Sequence, residues 1–575
     1  MMFVNNEQIQ QGSWQAFERL ISRLATAEGF SGARVVGQSN DHGADIIANR
    51  NGVRWLFQAK HWGKPVGVSV IDETLKAAQI YKARIPVIVA SNGFDSKAIE
   101  HQRYLLGQGI PLQLWDVNTL ISHAEKLGSN VPNKYEPREY QEKAIQGIVN
   151  AFVNDKMKAM AVMATGLGKT FVAAESIRRI GGLKPGMRVL VLAHTNPLIY
   201  QLERSFWPFM TKYQTSVIWN GYEEPSAFQL ENSDYVFACV NTVSDYIART
   251  ESLPHFDAIV VDECHHAGSS MYRKIFDFTR AGQYNGPFLL GLTATPWRPD
   301  EIDISNFFGE TVVCIDMVEG LKKGFLSNVD YRMYTDNINW DALANLDGQS
   351  FTPKQINKTL FIEQWDDSVV YELQKTWHEQ AKPRAIVFCG TIDHANIMCT
   401  KLNALGFCNA AAIYSNSGNG YSMSQFEKNK ILTDFADGTI NVVCTVDIFN
   451  EGIDVPDVNI LVFQRVTHSR RIFIQQLGRG LRISADKDKV IVLDFVSDIR
   501  RFAAGIELKD GLSKGTKQAT RISLPNKVTF KKVTGEDPNT EQFLRLWLED
   551  IAAIEDAGEN SSVLKFPPTF KDSKK

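Results

Sequence analysis

The chain has 575 residues, enough for three or four domains at roughly 100–200 residues each. Its 44% hydrophobic and 22% charged content is that of folded globular protein, and excludes a collagen, a coiled coil, a membrane bundle or a long disordered tract. A net charge of −3 excludes a uniformly basic nucleic-acid coat, while leaving room for a basic channel on a near-neutral body.

In chain order, an amphipathic helix is expected over 14–27, then a hairpin, a helix over 72–83 and a buried strand over 86–90. Within residues 41–60, Asn51-Gly52 joins two apolar runs and gives a two-residue hairpin signal. With that loop, Arg50 pairs with Val53, Asp45 stands opposite Gln58 and Gly43 opposite Lys60. Side-chain alternation then sets Asp45, Gln58 and Lys60 on one face at one end of the hairpin. A carboxylate, an amide oxygen and a lysine so placed can hold a divalent metal and stabilise the charge that develops on a cleaved phosphodiester. Glu18, on the first amphipathic helix, can supply another oxygen.

After a Pro-containing linker over 128–137, apolar strands alternate with helical stretches. They fall at 159–163, 189–193, 235–239, 258–261 and 288–292, and again at 384–389, 411–413, 441–444, 460–463 and 490–493. Near-continuous apolar strands between helices predict parallel sheets covered on both faces, here two α/β domains in tandem. Residues 336–377 between them read as polar and helical, and the tail after Arg500 carries one helix-like stretch, 541–557.

The first of these strands runs into Ala164-Thr165-Gly166-Leu167-Gly168-Lys169-Thr170 and then a helix. A glycine-rich turn at a helix N-terminus presents backbone N–H groups and the helix dipole to phosphates. Lys169 is placed for the β/γ-phosphates and Thr170 for Mg²⁺. Met163 stands where the strict pattern has glycine, so the loop is a relaxed form. Further on, strand 258–261 ends in Asp262-Glu263-Cys264-His265-His266. Asp262 there can hold Mg²⁺ and Glu263 can orient and deprotonate the attacking water. His265 and His266 lack a third ligand at metal-site spacing, so zinc is not expected.

Over residues 135–495 the chain resembles superfamily 2 helicases and translocases of the DExH kind. The resemblance rests on Arg138-Glu139-Tyr140-Gln141, on ATGLGKT, on Ala193-His194-Thr195-Asn196, on DECHH and on Thr293-Ala294-Thr295-Pro296. It continues through Thr445-Val446-Asp447, Asn450-Glu451-Gly452-Ile453-Asp454 and Gln475-Gln476-Leu477-Gly478-Arg479-Gly480-Leu481-Arg482. It implies ATP and Mg²⁺ as cofactors, with Gln141 at the adenine and Thr165, Gly166, Gly168, Lys169, Thr170 and Asp262 around the phosphates. It also places Gly452 and Asp454 at the nucleotide cleft. Arg479 and Arg482, three apart on one helix face, are placed to reach across that cleft as arginine fingers.

Residues 12–125 resemble the PD-(D/E)xK nuclease core in its Mrr-like branch, with Asp45, Gln58 and Lys60 at the motif positions and Glu18 at the first-helix acid. Gln58 stands where the common motif has an acid, which leaves fewer anionic ligands.

The expected fold class is therefore α/β: a restriction-endonuclease-like domain (1–130), two RecA-like parallel-sheet domains (131–310 and 311–500, the second with the polar insertion near 336–377) and a short C-terminal tail (501–575). The resemblances imply an ATP-dependent DNA translocase fused to a Mg²⁺-dependent endonuclease, in restriction or anti-phage defence, with DNA and defence-system subunits as partners. Two other readings stay open at this point: a clamp that holds DNA without cutting, and an RNA remodelling enzyme. The seven cysteines show no paired spacing, the N-terminus shows no secretory pattern, and no apolar run reaches the roughly 20 residues of a membrane span. A reducing cytoplasm and no membrane partner are expected.

Overall fold

The computed structural model describes residues 2–36, 43–130, 136–294, 304–315, 317–334, 350–351, 366–414, 422–446, 458–464, 480–481, 483, 487, 489–495 and 564–565.

The N-terminal domain runs α1 (Asn6–Gln11), α2 (Trp14–Ala27), β1 (Ser31–Val35), β2 (Ile46–Arg50), β3 (Val53–Lys60), α3 (Val68–Ile80), β4 (Ile85–Ala90), α4 (Ser96–Gly107), β5 (Gln113–Trp115) and α5 (Val117–Lys126). Its five strands lie in chain order in one mixed sheet, antiparallel from β1 to β3 and parallel from β3 to β5. Asn51 and Gly52 both take positive φ (53° and 75°), as the tight hairpin turn requires, and Arg50 pairs with Val53 as expected. Ser13 caps α2 by accepting from the Ala16 N–H. The helix buries Phe17, Ile21 and Leu24 on the sheet face formed by Ile46, Ala48, Phe57, Val87 and Val89. Helices α3 and α4 cover the other face, over Ile47, Leu56, Ile88 and Ala90. Helix α3 begins four residues before the expected start, directly after Gly67, and ends before Lys82 at φ 52°.

The first motor domain comprises α6 (Glu139–Val153), β6 (Lys158–Met163), α7 (Lys169–Leu183), β7 (Val189–Ala193), α8 (Asn196–Phe206), β8 (Ser216–Trp219), β9 (Tyr235–Cys239), β10 (Ala258–Val261), β11 (Phe288–Thr293) and β12 (Thr311–Ile315). They form a seven-stranded parallel sheet in the order β12-β6-β11-β10-β7-β9-β8. Residues 311–315, assigned from the sequence to the second motor domain, pair instead with β6. The first fold therefore extends past residue 310. As an edge strand, β12 is largely uncovered despite its apolar run over 312–315.

The second motor domain has β13 (Asn328–Tyr334), a helix over Asp366–Trp377, β15 (Ala385–Phe388), β16 (Ala410–Tyr414), β17 (Val442–Val446), β18 (Ile460–Phe463) and β19 (Lys489–Phe495). Its parallel sheet is ordered β13-β19-β18-β15-β17-β16, and a separate two-residue pair joins β14 (Ser350–Phe351) to β20 (Leu564–Lys565). Of the polar insertion, the helix Asp366–Trp377 is described and most of 336–365 lies outside the described residues, as does the helical stretch expected over 541–557. Six of the seven cysteines are buried and all seven are free thiols.

The N-terminal domain is joined to the first motor domain by a buried ionic cluster. Arg19 of α2 lies 2.9 Å from Glu203 of α8 and donates to Glu223 at 2.6 Å. Tyr200 donates to Glu223 (3.1 Å) and Asn220 to Tyr200 (3.1 Å). Burial opposes the Arg19 charge, but the two carboxylates outweigh it and hold its pKa above the ordinary guanidinium value. Arg23, one helical turn on, donates to the carbonyls of Thr211 (3.0 Å) and Gln214 (2.8 Å). Arg19→Ala strands two carboxylates in the interface. It is expected to cost about 3–5 kcal/mol, read as faster amide exchange in α2 and α8 and a lower unfolding midpoint of the full chain. Contacts with the second motor domain are lighter: Arg54–Asp437 at 3.1 Å, Asn429 donating to the Val36 carbonyl at 2.6 Å, and the edge-on rings of Tyr81 and Phe426.

Candidate functional site

The nucleotide site is built where β6 gives way to α7. The loop carries positive φ at Gly166 (95°) and Gly168 (87°), and Lys169 opens the helix. Gly168 has no room for a side chain, since a Cβ there would stand 2.7 Å from Gln141 Nε2. Gln141 Oε1 accepts from the Arg138 N–H (3.0 Å) and its Nε2 donates to the Leu167 carbonyl (2.9 Å). The Tyr140 hydroxyl donates to that same carbonyl (3.2 Å), and its ring stacks on Phe325 at 4.3 Å. Gln141 thus braces the phosphate loop, as does Tyr140, which stands in its motif without an assigned role.

At the end of β10, the Asp262 N–H donates to the Leu192 carbonyl (3.2 Å), and Glu263 turns the chain at φ 49°. Lys169 Nζ lies 3.5 Å from Glu263 Oε1, so the phosphate-loop cation and the acidic pair share one crevice. Burial, and then the adjacent Glu263 charge, raise the Asp262 carboxyl to about 6. Its Oδ1 is buried without a hydrogen-bond partner. An orphaned carboxylate oxygen facing a like charge is the donor set a divalent cation relieves, so these residues fit Mg²⁺, with Thr170 beside Lys169 on the first turn of α7. Burial beside the two acids pushes the Cys264 thiol well above its usual range, so it stays protonated and packs as core.

His265 is buried; its Nδ1 lies 2.9 Å from Thr293 Oγ1 and 3.3 Å from Glu263 Oε2. The His266 ring stands 4.2 Å from that of His194 and 4.3 Å from that of His265. Three motifs far apart in sequence therefore touch behind the acidic pair. No group of three metal-ligating side chains assembles into a further metal site among the described residues. Thr295, Gly452, Asp454, Arg479 and Arg482 lie outside the described residues.

The second constellation sits at the open end of the β2–β3 hairpin. The Asp45 N–H donates to the Phe57 carbonyl (3.1 Å), continuing the register that sets Asp45 opposite Gln58, and the Asp45 carboxylate accepts from the Ala59 N–H (2.6 Å). Gln58 is fully buried and contacts Thr74 of α3. Lys60 Nζ lies 3.7 Å from Glu73 of α3 and 5.4 Å from the centre of the Trp62 ring. Gly43, at φ 87°, closes the group: a Cβ there would meet Gln58 Nε2 at 2.5 Å and Glu73 Oε1 at 2.9 Å. Asp45, Gln58 and Lys60 thus share one end of the hairpin with Glu73 and Thr74. Glu18 is buried on α2, which covers the opposite face of the sheet, and these contacts do not draw it in. Sequence reading missed Glu73 and Thr74, which lie 13 and 14 residues beyond Lys60 on a helix with no motif spacing.

Three family profiles match the chain: a restriction endonuclease family over residues 9–123, the res subunit of type III restriction enzymes over 134–298, and the helicase conserved C-terminal domain over 367–484. Among curated relatives, the EcoAI endonuclease subunit, a type I restriction enzyme of Escherichia coli, is 28% identical over 444 residues, 72% of this chain and 52% of the relative. The putative mitochondrial ATP-dependent helicase irc3 of Schizosaccharomyces pombe is 26% identical over 380 residues, 64% of this chain and 59% of the relative. The chain thus spans about half the length of the curated relatives it matches. Among solved structures, the ATP-dependent type ISP restriction-modification enzyme LlaBIII bound to DNA aligns with 86% of this chain and 37% of its own, at 17% identity and a TM-score of 0.48. No helix among the described residues is long and apolar enough to cross a membrane. The chain thus carries a restriction endonuclease domain followed by the two halves of a helicase motor similar to that of restriction enzymes.

Proposed function

We propose that the protein is an ATP-dependent DNA translocase that carries its own Mg²⁺-dependent endonuclease and serves cytoplasmic restriction or anti-phage defence. The observation that supports this most directly is the presence in one chain of two phosphate-handling constellations: Lys169 with Asp262 and Glu263, and Lys60 with Asp45 and Gln58. In the motor, the loop N–H groups and Lys169 bind the phosphates of ATP, Gln141 serves the adenine end, and Glu263 orients and deprotonates the attacking water. Thr170 and Asp262 hold Mg²⁺. Arg479 and Arg482, with Gly452 and Asp454, complete the cleft from the second motor domain.

In the nuclease, Asp45 and Gln58 hold the metal, and Lys60 steadies the negative charge that develops on the phosphate. Bound in either site, Mg²⁺ neutralises charge on phosphate oxygens. DNA is the substrate of both activities, and other subunits of a defence system supply target recognition.

Steady-state ATP hydrolysis with double-stranded DNA, single-stranded DNA or RNA tests the substrate. Stimulation by DNA that RNA does not reproduce is expected, and stimulation by RNA alone overturns the reading.

A further inference from the structure

Gln58 is the weakest member of the nuclease constellation on chemical grounds. Its amide is neutral, and it presents an oxygen to a cation only if it is turned the right way. As placed, the Thr74 hydroxyl is the donor to both Gln58 Oε1 and the Val70 carbonyl (2.7 Å). One hydroxyl has one proton, so both bonds cannot exist together. The same placement leaves Gln58 Nε2 fully buried with no acceptor, beside Gly43 and Glu73. Turning the amide by half a rotation removes both conflicts. Thr74 then donates to Val70, which can only accept, and takes a hydrogen bond from the Gln58 amino group. The amide oxygen faces the end of the hairpin where Asp45, Lys60 and Glu73 stand.

Resting on the nuclease reading above, we infer that Thr74 is a positioning residue that fixes the Gln58 carbonyl oxygen toward the metal, and that the Glu73 carboxylate adds the anionic charge which glutamine at this position withholds. Thr74 acts through the hydroxyl alone. Thr74 is fully buried, and Val70, one turn back on the same helix, provides the acceptor that makes Thr74 an acceptor in turn. Ligand-orienting partners of this kind typically contribute about 10–100-fold to metal affinity. Glu73 differs from Thr74 in exposure, being partly open to solvent, and its ion pair with Lys60 holds it at the rim.

The test is Mn²⁺ binding to the full-length protein without nucleotide, read from the electron paramagnetic resonance signal of the free ion. The Asp45→Ala variant marks which ions belong to this site. Thr74→Val keeps the side-chain shape and removes the hydroxyl, and is expected to weaken the Asp45-dependent ion by about 10–100-fold. Thr74→Ser restores the hydroxyl and is expected to restore binding. Glu73→Gln is expected to weaken the same ion. Wild-type affinity in Thr74→Val overturns the inference, as does an equal loss in Thr74→Ser, because a packing role would not distinguish the hydroxyl. If Asp45→Ala leaves all Mn²⁺ binding unchanged, the metal site itself is absent and the nuclease reading fails with it, a result distinct from either Thr74 outcome.

Discussion

Lys60→Ala is expected to leave DNA-stimulated ATP hydrolysis unchanged and to lower cleavage of plasmid DNA by at least about 10²–10³-fold, the usual cost of removing one preorganised group from a developing phosphate charge. The geometry argues for the separation. Lys60 sits at the end of the β2–β3 hairpin, held by Glu73 and Trp62, in a different domain from Lys169, which opens α7. Loss of Lys60 leaves its neighbours in place, since Asp45 is held by the backbone of Ala59 and Gln58 by Thr74. Agarose-gel cleavage with Mg²⁺ and ATP measures the effect. Undiminished cutting in both Lys60→Ala and Asp45→Ala would leave the N-terminal domain as a DNA clamp.

Lys169→Ala is expected to reduce ATP hydrolysis by about 10²–10³-fold or more, because the phosphate-loop cation is the group aimed at the charge that accumulates between the β- and γ-phosphates. Glu263→Gln separates binding from chemistry. It removes the carboxylate that faces Lys169 at 3.5 Å while keeping the side-chain shape, so nucleotide is expected to bind while turnover stops. A fluorescent ATP analogue reports binding, and release of inorganic phosphate reports turnover. Cutting lost in Lys169→Ala as well as in Lys60→Ala makes the motor the driver of the nuclease. Cutting retained in Lys169→Ala makes the two activities independent.

Much of this was legible in the sequence because it is local. The Asn51-Gly52 turn fixes the register of the hairpin, and that register alone brings Asp45 to Gln58. The strand–loop–helix around Gly168 and the acidic end of β10 are likewise written in consecutive residues. What escaped depends on contacts between residues far apart in the chain or on faces without a motif. Thr293 reaches His265 across 28 residues, Thr74 and Glu73 come from the helix over the sheet, and β12 joins the first motor sheet as an edge strand paired with β6, far earlier in the chain. Arg19 lies beside Glu18 in sequence, yet its guanidinium belongs to carboxylates some 200 residues away, a pairing no spacing rule announces.

The unequal attachment of the N-terminal domain has a mechanical consequence. Its joint to the first motor domain is buried and ionic, built on Arg19, Glu203 and Glu223, whereas among the described residues its joint to the second is carried by the Arg54–Asp437 ion pair, the Asn429 amide and the packing of Phe426. These act as a stiff spring in series with a soft one. Any change in the gap between the motor domains therefore falls on the soft joint, and the amide bond from Asn429 applies it to Val36, whose N–H holds the Asp45 carbonyl at 2.7 Å. The nuclease domain rides with the first motor domain as cargo and meets the second as a load, with Asp45 one hydrogen bond from the point where that load is applied.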